Sequence, residues 1–137
     1  MPGSMPMIET DAVRALVDIG FIALSRGLDR HAEAIFDGVT AARPDGEAGP
    51  LGMALVALLR SDATVDCQAA AAAVTAASKP DATRGYALAV LAACQHRGGA
   101  AATAATTLAE ALQLLRRHRD ERFPERRYAE SLATLMR

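Results

Sequence analysis

Aromatic side chains make up only 4% of this 137-residue chain, although 51% of its residues are hydrophobic. Alanine supplies much of the difference. A core of stacked Leu and Phe layers is thereby excluded. Alanine is the best helix former and the smallest apolar side chain, so thin, closely packed helices are expected instead. They bury less area per residue than a Leu/Phe core. The length suits one domain with a modest core, and small helical domains of this kind gain stability by associating with themselves or a partner.

An excess of positive charge is missing as well. The formal net charge is -1, which argues against a general nucleic-acid binder. Long apolar runs are absent: the longest, Leu51 to Leu59, is far too short to span a bilayer. The N-terminal stretch MPGSMPMIET carries no apolar signal-peptide core. These features predict a cytoplasmic protein without membrane insertion. Residues 1–9 read as a flexible N-terminus, with Gly3 and Ser4 as a tag remnant, and residues 10–137 as a single helical domain. Cysteine is sparse. Cys67 and Cys94 lie far apart with no CxxC pair, and both read as buried free thiols suited to a reducing compartment.

Catalytic and metal-binding motifs are also lacking. His31, His96 and His118 form no HExxH and no Cys–His zinc spacing. Gly98-Gly99 precedes a helical pattern, but GxGxxG and GxxxxGK are absent and no predicted strand leads into it. Glu33 and Asp37, four apart on one helix, read as solvated surface carboxylates. No residue stands out as a nucleophile. The expectation is a non-enzymatic protein with no catalytic residue, no metal and no cofactor.

What is present is helical periodicity, punctuated by glycine and proline. Seven segments follow from it. The first runs from about Asp11 to Arg26 behind a Thr10 N-cap, and the second from Asp29 to Ala42 before Pro44-Asp45-Gly46. A link, Glu47 to Pro50, leads to the third, Leu51 to Arg60. Ser61 to Ala63 then turns into an alanine-rich fourth helix, capped by Thr64 and ending before Pro80. Asp81 caps the fifth, which stops at Gly98-Gly99. The sixth extends from Ala100 to His118 with Leu108, Leu112 and Leu115 at helical spacing. Pro124 fits the first position of the seventh, PERRYAESLATLMR. Arg116, Arg117, Arg119, Arg122, Arg126 and Arg127 crowd the C-terminal quarter, with Asp120, Glu121, Glu125 and Glu130 among them. This reads as a solvated helix end and turn, with a docking patch for an acidic partner as the alternative.

The pairs repeat. Gly20, Gly27, Ala32, Phe36 and Pro44 occupy the small, turn, small, aromatic and closing-proline positions of a tetratricopeptide (TPR) repeat of about 34 residues. Ala92, Gly99, Ala104 and Leu108 follow the first four at a displacement of 72. A middle copy falls near Ala57, Ala69 and Ala73 and has no turn glycine. The fold expected is all-α: a TPR-like right-handed superhelix of about three helix pairs plus a C-terminal capping helix, which would cover the last exposed apolar face. A single helical bundle without true repeats is the alternative.

In TPR-like superhelices the first helix of each pair lines the concave side. That geometry assigns to a partner-binding groove Arg14, Val17, Phe21 and Leu24 from the first pair and Leu51, Ala54 and Leu58 from the second. Tyr86, Ala89, Ala93 and His96 come from the third. Taken one at a time, each of these side chains reads more readily as core, the aromatics Phe21 and Tyr86 among them, and the groove rests on the set. An apolar groove of this kind suits an amphipathic helix or extended segment of another protein. It lacks the Lys and Arg clamp that captures a C-terminal carboxylate.

The run GFIALSRGLDRHAEAIFDGVTAARPD, followed by PLGMALVALL, the KPD turn at Lys79 to Asp81 and YALAVLAACQHRGG, resembles the small TPR proteins of bacterial type III secretion. Both the Hrp-type accessory proteins and the class II chaperones look similar, over roughly Ala15 to Leu115. The resemblance implies a non-enzymatic cytoplasmic protein that holds a secretion substrate or apparatus subunit in its groove. The alternative is a self-associating scaffold whose apolar faces make a homo-oligomer.

Overall fold

The computed structural model describes residues 10–60 and 67–118, and among these it is all-helical. The helices are α1 (Thr10–Ser25), α2 (Asp29–Ala42), α3 (Ala48–Leu59), α4 (Gln68–Ala76), α5 (Ala82–Arg97) and α6 (Ala101–Arg117). The expected N-terminal arm, the turn at Ser61 to Ala63, the Thr64 cap and the seventh segment lie outside the described residues.

Local signals set most boundaries. Asp81 is extended, and its carboxylate accepts a hydrogen bond from the Arg84 backbone N–H at 3.2 Å, which caps α5 as its position in the sequence predicts. The third helix begins earlier than expected, at Ala48 in place of Leu51, and takes Pro50 into its first turn. Proline is tolerated there because the first N–H groups of a helix have no intrahelical acceptor to lose. The Leu51 N–H then reaches the Glu47 carbonyl oxygen at 2.9 Å and starts the regular ladder. The fourth helix starts at Gln68, with half-buried Cys67 just before it, whereas Cys94 is buried inside α5; both are free thiols.

Two turns share one geometry. Gly27 ends α1 with φ +72°, and Gly99 ends α5 with φ +92°. Such values cost a residue bearing a Cβ about 1–2 kcal/mol. After each glycine the chain makes the same pair of closing bonds. Gly27 N–H donates to the Leu24 carbonyl at 3.0 Å and Leu28 N–H to that of Ala23 at 2.9 Å; Gly99 donates to His96 at 3.1 Å and Ala100 to Gln95 at 2.9 Å. This is the Schellman pattern. Each turn delivers the chain directly into its next helix, so α1/α2 and α5/α6 are joined alike.

The core sits where glycine lets helices touch. Phe36 of α2 is fully buried, and its ring meets that of Phe21 edge-on, with centroids 5.0 Å apart and an interplanar angle of 70°. A Cβ on Gly20 would come within 2.7 Å of the Phe36 ring, and one on Gly52 would collide with the same ring from α3. Small residues on α1 and α3 thus let one aromatic fill the space among three helices. Leu51, Ala54 and Leu55 of α3 extend this core to Ala70 and Ala73 of α4 and to Ala87, Leu88 and Val90 of α5. Each helix packs on the next in the chain, and α3 also meets α1 and α5.

Arginines tie the succession together. The Arg60 guanidinium, at the end of α3, donates to Asp29 Oδ2 at 2.9 Å and to both Glu33 carboxylate oxygens at 3.0 and 3.1 Å. Glu33 is therefore not the merely solvated carboxylate its surface position predicts. The hydrogen bonds from Arg60 hold the Asp29 and Glu33 carboxyls below their ordinary values, and the two carboxylates in turn hold the Arg60 proton more firmly. Arg84 donates to the carbonyls of Val74 at 2.8 Å and Ala77 at 3.1 Å, so it closes the C-terminal end of α4 with a cation. Arg97 does the same for the Leu58 carbonyl of α3. No helix among the described residues is long and apolar enough to cross a membrane.

Candidate functional site

Among the described residues, the last helix pair is open on one side. A cavity of about 540 Å³ lies between α5 and α6 at the level of the last turn of α3. Its floor is Leu58 of α3. One wall is Ala89, Ala92, Ala93 and His96 of α5, and the other is Ala101, Ala104, Ala105 and Leu108 of α6. Alanine makes the cavity: side chains of one carbon on both walls leave a trough between two backbones that a Leu-rich pair would fill. Arg97 also lines it, with its guanidinium bound to the Leu58 carbonyl.

Apolar surface continues beyond the mouth. Leu108 is 43% exposed and Leu112 39% exposed, large values for leucines on a helix that buries Ala104, Ala111 and Leu114 on its inner side. Leu108 and Leu112 are one turn apart, so with Ala101 and Ala105 they form a single stripe along the flank of α6. The wall chemistry is that of a hydrophobic docking site: shape and apolar contact, with His96 and Arg97 as its polar members. No three His, Cys, Asp or Glu side chains among the described residues gather closely enough to hold a metal ion.

The residues assigned to a groove from sequence divide into three groups. Phe21, Leu24, Leu51 and Ala54 are buried core residues, so these side chains line no open surface. Arg14 is exposed on α1, while Val17 and Tyr86 are half-buried against the core. Leu58, Ala89, Ala93 and His96 do come together, at the cavity. The alanine stripe of α6 was not anticipated as lining. Its signal was available, because Ala101, Ala104, Ala105 and Leu108 recur at helical spacing and present one small-residue face.

Comparison with protein-family models, with characterised proteins and with solved structures finds no match to this chain. The functional reading therefore rests on the cavity and the residues around it.

Proposed function

We propose that this protein is a non-enzymatic, TPR-like protein-binding module that holds an apolar helical or extended segment of a partner in the α5/α6 cavity. The observation that carries this reading is the union of an alanine-walled trough with the exposed Leu108 and Leu112 beside it. Such a surface accepts Leu, Met or Phe side chains projecting at helical spacing from a second chain. The two Schellman turns 72 positions apart support a repeated helix pair, and the type III secretion resemblance supplies the finer proposal. On that proposal the partner is a secretion substrate or apparatus subunit, and covering its apolar segment in the cytoplasm prevents premature assembly.

Affinity purification from the native host, with mass spectrometry of the captured proteins, tests the reading. The wild-type chain should recover one small helical partner near one-to-one, and Ala93→Arg should lose it while keeping its helical circular dichroism. Retention of the partner by folded Ala93→Arg removes the cavity from the site.

A second reading has its own observation. Ile19 and Ile22 on α1 are 51% and 47% exposed. Apolar side chains thus protrude from the first helix as well as from α6, which is the arrangement a head-to-tail scaffold needs. Recovery of the protein alone, at a mass of several subunits, would establish that scaffold in place of the chaperone.

A further inference from the structure

We propose that the partner segment held in the α5/α6 cavity is an amphipathic helix bearing an Asp or Glu side chain, and that Arg97 selects it by pairing with that carboxylate. The proposal rests on the reading of this cavity as the partner site, and it adds the chemistry that discriminates among partners.

Arg97 brings charge to a cavity that otherwise has almost none. It is exposed at the end of α5 and lines the cavity with His96; every other lining residue is alanine or leucine, and none is acidic. One guanidinium nitrogen donates to the Leu58 carbonyl, which holds the group beside the cavity floor. A guanidinium carries five N–H donors, so the others are left for a ligand. Among the described residues no carboxylate pairs with Arg97, whereas Arg60 has two. Arg84 gives the contrast. It is half-buried, one of its nitrogens donates to both the Val74 and Ala77 carbonyls, and it has no place in the cavity lining. Closing a helix end accounts for Arg84 but leaves most of the Arg97 fork unused. The start of α6 makes the same end of the cavity more positive, because its N-cap, Ala100, offers no side-chain oxygen to the first N–H groups. The complement of this end is a carboxylate, which an arginine fork takes in two parallel bonds.

The walls favour a helix over an extended segment. The described residues include no strand edge. An extended segment laid on alanine would leave its N–H and C=O groups facing hydrocarbon without partners, whereas a helix satisfies its own. The flank of α6 has the matching form. Ala101, Ala105, Leu108 and Leu112 follow one another along it at helical spacing, and the alanines let a second backbone come close. Arg97 and Ala101 mark one end of the cavity, on either side of the Gly98-Gly99 turn. Leu108 lies about 10 Å further on, two helical turns. The partner's carboxylate at Arg97 is therefore two turns from the apolar side chain that meets Leu108, with another apolar side chain between them. In a partner sequence this reads as Asp or Glu with Leu, Met or Phe about three or four positions away and again about seven away.

The test selects a phage-displayed library of random peptides, about 16 residues long to allow four helical turns, on the full chain and again on Ala93→Arg. Sequences enriched on the wild type and lost on Ala93→Arg should carry the acidic residue at the stated spacing. For the most enriched peptide, made synthetically, replacing that carboxylate by its amide should weaken binding to the wild type by about tenfold. The same replacement should cost less than about twofold on Arg97→Gln, whose fold is checked by circular dichroism. Arg97→Lys keeps the charge without the fork, so there the cost should fall to about threefold, and this variant carries the comparison if Arg97→Gln does not fold. Cavity-dependent peptides that lack the acidic residue, a preference for basic ones, or an undiminished cost on the folded Arg97 variants would each overturn the proposal. Failure of the partner reading looks different: no sequence then distinguishes the wild type from Ala93→Arg, and this inference falls with it.

Discussion

The ring of Phe36 lies so close to the Cα of Gly52 that no side chain fits between α2 and α3 at this point. Replacing Gly52 with alanine should destabilise the protein by about 1–3 kcal/mol, because the ring is held by Phe21 and Gly20 on its other side and cannot retreat freely. Urea unfolding of Gly52→Ala, Phe36→Leu and the double variant measures this. The glycine substitution should cost less in the Phe36→Leu background, where the space is relieved. Equal costs in both backgrounds would mean that the contact is not what fixes residue 52.

The two left-handed glycines permit a comparison within one molecule. Gly27→Ala and Gly99→Ala should each cost about 1–2 kcal/mol, and by similar amounts, because their turns close with the same bonds. Gly38 is the contrasting case. It lies inside α2, where a Cβ would meet nothing within 4 Å and φ is ordinary. Gly38→Ala should therefore stabilise by about 0.5–1 kcal/mol. Thermal denaturation of the three variants decides the matter by the sign of each shift.

The Arg60 cluster makes stability depend on acid. Asp29 and Glu33 have ordinary values of 3.8 and 4.5, and Arg60 holds both lower in the folded protein. Their contribution is complete above those ordinary values and is lost as pH falls through the lowered ones. Arg60→Met should therefore melt below wild type at neutral pH, by a small margin because the groups are about one-third exposed. The gap should close on acidification below about pH 4 and shrink with added salt. Melting curves across pH for both proteins give the test, and a gap that widens in acid would contradict it.

Arginine at two alanines separates core from cavity. Ala54 has no exposed surface, so Ala54→Arg buries an unpaired charge and should abolish cooperative folding. Ala105 lines the open cavity on the exposed flank of α6. There, Ala105→Arg should change stability by less than about 0.5 kcal/mol. Circular dichroism melts distinguish the two directly.

What was legible in the sequence was what neighbouring residues decide. Gly27 and Gly99 as turns, the Asp81 cap and the limits of α2 each depend on a few adjacent positions, and the structure bears them out. The Arg60 cluster was not legible, because it joins residues separated by 27 and 31 positions and exists only once α3 lies on α2. The candidate groove failed in part for a related reason. Phe21, Leu24, Leu51 and Ala54 mark apolar helix faces, and periodicity shows that a face is apolar without showing what covers it. For those four, the cover is another helix of the core. At α5 and α6, where the described helices run out, an apolar face stays open, and the exposed Ile19 and Ile22 mark apolar surface at the other end, on α1.

That succession, in which each described helix packs on its neighbours along the chain and α3 also reaches α1 and α5, governs how the protein acquires its shape. Contacts between near neighbours require little loop closure before they are rewarded, so the rate-limiting search is short. Folding on a scale of about microseconds to milliseconds follows. Structure can begin at either end and spread along the row, as in other linear arrays. Loss of structure should follow the same line in reverse, starting from a terminal pair of helices and leaving the middle for last.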